Sequence, residues 1–590
     1  MANDLANLPV LPEEPASEDR LDSWKEIAAY LKHSERTVRR WQDEGLPIHR
    51  HPHKKRAGVY AYKPELDAWW NDGHARLAEI EPAQVARPRP WPLWLAAAGL
   101  ALFLAVTGVY LARSRIWPRA RPASGKIMFA VLPFENLSGK PEQEYFSDGL
   151  TEEMISRLGQ LEPQRLGVIA RTSVIQYKGT KKRIDQIGKE LGVDYILEGT
   201  VRHAGDRVRV SAQLIQVRDQ THIWAKNYER ELRDILTLQE QVAQAIASEV
   251  EIKLDPEGQA RLANARVDPE AYEAYLKGRF FFNKRTPDGM RNAVKQFNQA
   301  VALDRGFALA YAGLADAHSL LHYYYFRPRM DAIADQKAAA LKAVALDDSA
   351  AETHTTLAQT FVDEWSWSEA EREFQRAIGI NPNYSLAHLW YSWFLQYQSR
   401  LAEAASEAQR ALELDPLGVV SIANLGYIYA ERRQFDQAIV QLQKSSELNP
   451  DYADPHLELA NVFFLNHQYP QGFAELRKAA DLSGQKRFAS CVQVAMRADS
   501  RTSFQKSMEE LAGCRVRASK SELLSSYDTA VEYAFAENPE KAFEWLEKAY
   551  HDHDDWLSYL AVDPALERLH NEPRFQDLLR RIGLPPEVSR

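Results

Sequence analysis

Small and large residues return along the second half of this chain with a step of 34, and that period constrains the fold more than any other feature. Ala370, Phe374, Ala377 and Pro382 are followed by Ala404, Ala408, Ala411 and Pro416. They return as Ala438, Leu442, Ser445 and Pro450, and again as Gly472, Leu476, Ala479 and Gly484. Leu357-Ala358 with Phe361, Leu425-Gly426 with Tyr429 and Leu459-Ala460 with Phe463 keep the same phase. A unit of this length holds two helices. Small residues let those helices approach closely, and aromatic residues fill the gap to the next unit. No unit can bury its apolar face alone, so such an array is stable only by stacking.

Two looser units come first. One is marked by Gly278, Phe281, Ala293, Phe297 and Ala300. The other runs from Tyr311 to Asp348, and its longer step implies a nine-residue insertion around His322 to Arg329. A last unit is marked by Ala530, Tyr533, Ala542, Leu546 and Ala549, and between Gln485 and Leu524 the pattern degrades. The period and these positions resemble the tetratricopeptide-repeat family. The resemblance implies an α-solenoid over 267–590 whose concave groove receives a protein partner. Trp365, Trp367, Trp390 and Trp393 read as packing between helices. Tyr323, Tyr324, Tyr325 and Phe326 lie in the insertion, outside the consensus, and are the candidate partner contact.

The chain has 590 residues, too many for one core. Its net charge of −9 hides an asymmetry: from Arg20 to Lys63 there are eleven lysines and arginines against five acids. A small basic module on a large acidic body is the pattern to explain. Two cysteines, Cys491 and Cys514, exclude a disulfide framework and a cysteine-rich metal site. They read either as buried small hydrophobes or, in an oxidising compartment, as a pair.

Trp91 to Ala112 runs 22 residues without a charge, enough to cross a hydrocarbon core of about 30 Å. Trp91, Trp94 and Tyr110 lie near its ends, where amphipathic rings prefer the headgroup level. About ninety residues precede it, which a signal peptide would not allow. The expectation is one membrane span, flanked by linkers over 73–90 and 113–125, with a disordered tail over 1–19.

In the basic module, 20–72, Ser23 to Leu31 reads as a short helix with Ser23 and Glu26 as its capping box. Ser34 caps a second helix, Glu35 to Asp43, whose Val38 and Trp41 face inward. A hairpin over Ile48 to Lys63 follows, with Lys54, Lys55 and Arg56 at its tip, and Pro64 opens a closing helix. The run SWKEIAAYL…SERTVRRWQDEGLP resembles winged helix-turn-helix modules of the MerR/excisionase type. The resemblance implies binding of double-stranded DNA. Arg36, Arg39 or Arg40 would pair with guanine edges, Thr37 or Gln42 would read neighbouring bases, and Lys54, Lys55 and Arg56 would hold phosphate. Specific affinity usually needs two half-sites, so a homodimer is expected. His49, His51 and His53 alternate along the wing, but without a matching ligand set no metal site is assigned.

Residues 126–254 mix strand and helix patterns. Ile127 to Phe134, Leu166 to Ala170, Val193 to Arg202, Arg207 to Val217 and Ile223 to Tyr228 read as strands. Residues Leu150 to Leu158, Ile184 to Leu191 and Leu236 to about Leu254 read as helices. His203 to Asp206 is a hairpin turn, and Val208, Val210, Ala212 and Leu214 mark the buried face of the second hairpin strand. FAVLPFENLSG, FSDGLTEEM and GVDYILEGTVR resemble the small α/β domain of TolB amino-terminal and FlgO-type envelope proteins.

The expected fold is thus multidomain and mainly α: a winged helix-turn-helix, one transmembrane helix, a small α/β domain and an α-solenoid. No nucleophile–base pair, phosphate loop or cofactor motif stands at a meaningful spacing, so the chain is not expected to be an enzyme or to carry a cofactor. The layout is similar to membrane-anchored one-component regulators of the CadC type. It implies a cytoplasmic head in an inner membrane, with the α/β domain and repeats in the periplasm. Flanking charges lean the other way, with Arg76, Arg87 and Arg89 before the span against Arg113, Arg115, Arg119, Arg121 and Lys126 after it. A DNA reader outside the cell would meet no DNA, and that consideration decides the orientation. The rival reading is an envelope scaffold whose basic head binds protein.

Overall fold

The computed structural model describes residues 19–42, 45–50, 59–71, 126–250, 267–324, 327–495 and 500–586. The chain divides into two units, Met1–Pro118 and Arg119–Arg590.

The first unit opens on a strand that the sequence pattern did not reveal, β1 (Arg20–Leu21). It continues with α1 (Trp24–Tyr30), α2 (Glu35–Gln42), β2 (His49–Arg50), β3 (Val59–Tyr62) and α3 (Lys63–Trp69). β3 lies between β1 and β2 and is antiparallel to both, with Tyr62 opposite Arg20 and Tyr60 opposite His49. Ser23 accepts the Glu26 N–H at 3.2 Å. Glu26, however, reaches back to the Asp22 N–H at 2.8 Å rather than to that of Ser23, so the expected capping box is displaced by one residue. Lys32, with φ 54°, turns the chain between α1 and α2. Ile27, Val38, Trp41 and Leu66 form the core that locks the helices to the small sheet.

In the second unit the α/β domain is a mixed sheet of β4 (Ile127–Val131), β5 (Glu135–Asn136), β6 (Leu166–Val168), β7 (Tyr195–Ala204), β8 (Arg207–Gln216) and β9 (Thr221–Glu231). The order is β6-β4-β7-β8-β9, with β5 also on β7. β4 is parallel to β6 and β7, and β7-β8-β9 run antiparallel. The hairpin turns at Gly205, whose φ of 57° suits a residue without Cβ. Val208, Val210, Ala212 and Leu214 are buried, as their alternation predicts. The helices α4 (Glu144–Leu161), α5 (Arg171–Val174), α6 (Ile184–Leu191) and α7 (Ile235–Glu249) complete the domain.

The repeats begin at Pro269. Their helices are α8 (Pro269–Phe282) with α9 (Pro287–Leu303), α10 (Ala308–Tyr323) with α11 (Arg329–Leu346), and α12 (Ala351–Asp363) with α13 (Trp367–Ile380). Next come α14 (Ser385–Tyr397) with α15 (Leu401–Leu414), α16 (Val419–Glu431) with α17 (Phe435–Leu448), and α18 (Asp454–Leu465) with α19 (Tyr469–Leu482). The small positions do what the spacing requires. A Cβ on Gly278 would stand 2.5 Å from Phe297 and one on Gly313 2.7 Å from the same ring, so Phe297 fits only because both neighbours are glycines. Trp365, Ser399, Arg433 and His467 recur at the 34-residue step with φ of 56–58°, each ending the first helix of its repeat. A buried histidine paired with a half-buried glutamate recurs as well: His354–Glu373 and His388–Glu407 at 2.6 Å, and His456–Glu475 at 2.5 Å.

Three features of the array go beyond the sequence pattern. The nine-residue insertion is shared between the linker and the two helices, α10 having 16 residues and α11 18 against 13 and 14 in the next repeat. The stretch where the pattern degrades is a further helix pair, α20 (Lys486–Ala495) and α21 (Arg501–Ala518), joined by a Cys491–Cys514 disulfide. The pattern fails there because buried Arg515 stands over the Phe488 ring at 3.7 Å and pairs with Glu532 at 2.9 Å in α22 (Ser526–Phe535), where consensus packing would be apolar. The groove is also not left open. After α23 (Pro539–Asp552) the chain turns back to pack on earlier repeats, ending in α24 (Pro573–Ile582).

Candidate nucleic-acid interface and repeat groove

In the head, burial of Val38 and Trp41 fixes which face of α2 is turned to solvent. Arg36, Arg39 and Arg40 are exposed on it, while Thr37 and Gln42 are half-buried. Arg39 lies 3.7 Å from Glu35 and 5.0 Å above the Trp24 ring, so it is held in place rather than free. The Thr37 hydroxyl is 2.8 Å from that of Ser34, which also accepts the Thr37 N–H; the side chain assigned to base reading is engaged in the helix cap. His49 bonds Glu65 at 2.7 Å and stacks on Tyr60. Lys54, Lys55, Arg56, His51 and His53 lie outside the described residues, as does the proposed span Trp91 to Ala112. Among the described residues no helix is long and apolar enough to cross a membrane.

The second unit builds a different kind of site. α4 packs on α8 in a shared core, with Gly149 admitting Leu276. Polar ties then fasten the α/β domain to the inner face of the repeats. Asn383 donates to the carbonyls of Gly159, Pro163 and Leu166, at 2.7 Å for Leu166. Ser156 donates to Glu352 at 2.8 Å, and Arg279 pairs with Glu152, its Nε at 2.9 Å. Thr172 and Ser173 both donate to Asp415. Burial works to raise the Glu152 carboxyl, but Arg279 and Arg171 outweigh it and hold that group below its ordinary range.

The returning C-terminal segment closes the other side. Trp365 stacks on His553 with ring centroids 4.1 Å apart, and the Trp367 indole donates to the Ile582 carbonyl at 2.9 Å. These tryptophans therefore hold the C-terminal segment rather than merely spacing consecutive repeats. Tyr323, the first residue of the candidate partner contact, ends α10 half-buried with its ring against Trp556. Tyr324 is half-buried beside it, and Tyr325 and Phe326 lie outside the described residues. His322, Asp363 and Asp555 each offer an atom within 4.8 Å of the others. Arg329 also pairs with Asp555 and donates to the Asp363 carbonyl, placing the protein's own cation among them. What remains between α4, α5, the inner helices and this segment is a cavity of about 590 Å³. Sequence reasoning missed it, because its walls come from residues as far apart as Glu152 and Tyr559.

The fold is that of a tetratricopeptide-repeat solenoid carrying an α/β domain. Residues 426–466 match the family described as TPR repeat, and residues 124–245 match the second domain of HilA/YgeH-like transcriptional regulators. This match covers the stretch whose motifs resemble the TolB amino-terminal and FlgO-type domain. A Rhizobium meliloti (strain 1021) protein named "Putative adenylate cyclase 3" is 39% identical over 199 residues, 34% of this chain and 33% of that protein. The chain spans about a third of the length of this curated relative. Among solved structures, a thermophilic tetratricopeptide-repeat protein of Thermus thermophilus, TTC0263, is 16% identical over 33% of this chain and 98% of its own, with a TM-score of 0.29. A human IFIT1 dimer with PPP-AAAA is 15% identical over 53% and 78%, with a TM-score of 0.33.

Proposed function

We propose that the chain is a membrane-anchored one-component transcriptional regulator. Its N-terminal head reads double-stranded DNA in the cytoplasm as a homodimer, Trp91 to Ala112 crosses the inner membrane, and the α/β domain and repeats receive a signal or protein partner in the periplasm. The observation that carries this reading is the match of residues 124–245 to a domain of transcriptional regulators, in a chain whose basic head turns Arg36, Arg39 and Arg40 to solvent. Exposed arginines on one helix face are what major-groove readout requires. The chain acts by binding rather than catalysis, so the adenylate cyclase activity named for the relative is expected to be absent from the purified protein.

The decisive test maps genomic DNA crosslinked to the full chain in cells. Discrete enriched sites that vanish in an Arg36→Ala/Arg39→Ala/Arg40→Ala variant support the reading. A uniform background in the parent sinks it and favours a scaffold whose head binds protein. Topology is tested separately by a reporter fused after Arg590: activity restricted to the cytoplasmic form of the reporter overturns the periplasmic placement.

A further inference from the structure

Most charges lining the cavity cancel locally. Glu152 is matched by Arg279 and Arg171, and Asp555 by Arg329 and His322. Asp363 lies 3.5 Å from His322 and accepts from Gln336. Four carboxylates on the wall have no such match among the described residues; one of them, Asp415, is held by the Thr172 and Ser173 hydroxyls, and three are left. Glu153, only 7% exposed, has neither a hydrogen bond nor an ion pair there. Asp316, 5% exposed, accepts one hydrogen bond, from the Thr356 hydroxyl at 2.6 Å. Glu352 accepts from Ser156 through one oxygen, while its other oxygen is buried without a partner. Glu352 is the electrostatic neighbour of both of the others, Glu153 and Asp316. Arg157 and Arg279 attract Glu153 from a distance, and Arg279 and Arg285, the latter also on the wall, attract Asp316, yet none of them pairs with either carboxylate.

Burying a carboxylate without a cation is costly, and three in one cavity are a standing deficit of positive charge. Aromatic rings stand among them. Tyr275 is close enough to feel Glu153, Tyr384 feels Asp316 and Glu352, and the Trp393 indole N–H is buried on the same lining with no acceptor. Carboxylates interleaved with aromatic faces are complementary to a cation carried on an apolar stem. The carboxylates supply charge, the rings supply cation–π attraction, and the volume suits a small molecule or one long side chain with its backbone.

We propose that this cavity is a binding site for an organic cation, an ammonium or guanidinium group on an aliphatic stem, held by Glu153, Asp316 and Glu352 between the α/β domain and the repeats. The same chemistry is presented by a free small molecule and by a lysine or arginine side chain of a peptide. Because both domains supply ligands, occupancy strengthens the hold of one on the other. The site is independent of whether the head binds DNA.

The test is calorimetric titration of the full chain, purified in detergent, with agmatine, with the blocked tripeptide Ala-Arg-Ala, and with its neutral analogue carrying citrulline. Saturable binding of agmatine alone identifies a free cation as the source, and binding of the arginine tripeptide identifies a peptide side chain; either supports the site. Glu153→Gln and Asp316→Asn, each checked for an unchanged circular dichroism spectrum, are expected to weaken binding at least tenfold. Affinity should also fall as pH is lowered from 7.5 to 5.5 and Glu153, flanked by Glu152, Glu352, Arg157 and Arg279, takes up a proton. The proposal is overturned if neither cation binds, if the citrulline peptide binds as tightly as the arginine one, or if both folded variants bind like the parent.

Discussion

Ser173 donates its hydroxyl to Asp415 at 2.6 Å, across 242 residues of chain. Asp415 is 6% exposed and has no cation beside it among the described residues. Burial pushes its carboxyl up, and the Ser173 and Thr172 hydroxyls pull it back. The Leu417 N–H closes the loop by donating to the Ser173 hydroxyl at 2.8 Å. This small network clasps α5 to the end of α15. Asp415→Ala leaves two hydroxyls without their acceptor and should cost about 2 kcal/mol. Hydrogen exchange is the readout: protection of 171–177 should fall while that of 419–448 stays unchanged. Equal loss in both segments would mean that the clasp is not local.

The uncompensated carboxylates give stability a definite slope with pH. Burial pushes Glu153 up to about 7 and Asp316 up to about 6, from ordinary values of 4.5 and 3.8. The folded state therefore binds these protons more tightly than the unfolded chain does. Their penalty is greatest above pH 7 and is relieved as pH falls through 7 and 6 towards 4.5. Glu152 works in the opposite direction, since its folded value is depressed, and its contribution is lost only as pH falls below 4.5. Tm is expected to rise from pH 8 to about pH 5 and then drop, and Glu153→Gln should flatten the rise. A Tm that falls steadily from pH 8 contradicts this assignment.

Ser399 holds φ 57° at the turn of its repeat, and its hydroxyl is buried without a partner. Both features disfavour serine there, since a left-handed backbone costs a residue with Cβ on the order of 1 kcal/mol. Ser399→Gly is expected to stabilise the chain by about that amount in urea denaturation, and Ser399→Val to destabilise it.

The Cys491–Cys514 disulfide, spanning 23 residues, ties α20 to α21. In the chain-entropy account a bridge of this span contributes about 3 kcal/mol. Replacing both cysteines by serine should lower the unfolding midpoint and expose 486–518 to protease first. Alkylation of thiols in intact cells before lysis should leave both cysteines unmodified, since the reading places them in an oxidising compartment. Full alkylation of both would contradict that placement.

The repeats were legible because stacking demands small residues at fixed positions, and Ala370, Ala404 and Ala438 keep that demand visible at the 34-residue step. The alternation of β8 was legible for the same reason: one face is buried along its whole length. What escaped was carried by residues with no shared identity. The left-handed turn positions are occupied by tryptophan, serine, arginine and histidine, so no glycine signalled them. The pair α20–α21 escaped because Arg515 and a disulfide stand where consensus packing would be. The cavity could not be read at all, since Glu153, Asp316 and Glu352 meet only after the α/β domain docks on the array. In the head, spacing identified the exposed face of α2, but not that Thr37 is already held by Ser34.

The contacts of Trp365 with His553 and of Trp367 with Ile582 alter what the array can do mechanically. An open solenoid behaves as a spring, in which small rotations at each repeat add up to a large displacement of its ends. Fastening the tail to the third repeat makes a hoop of the intervening helices, where those rotations must cancel around the circuit. Such a hoop cannot report an event by stretching. It can only tighten or loosen its grip on what it holds, and what it holds is the α/β domain, through Asn383 on the Leu166 carbonyl and Asp415 on the Ser173 hydroxyl.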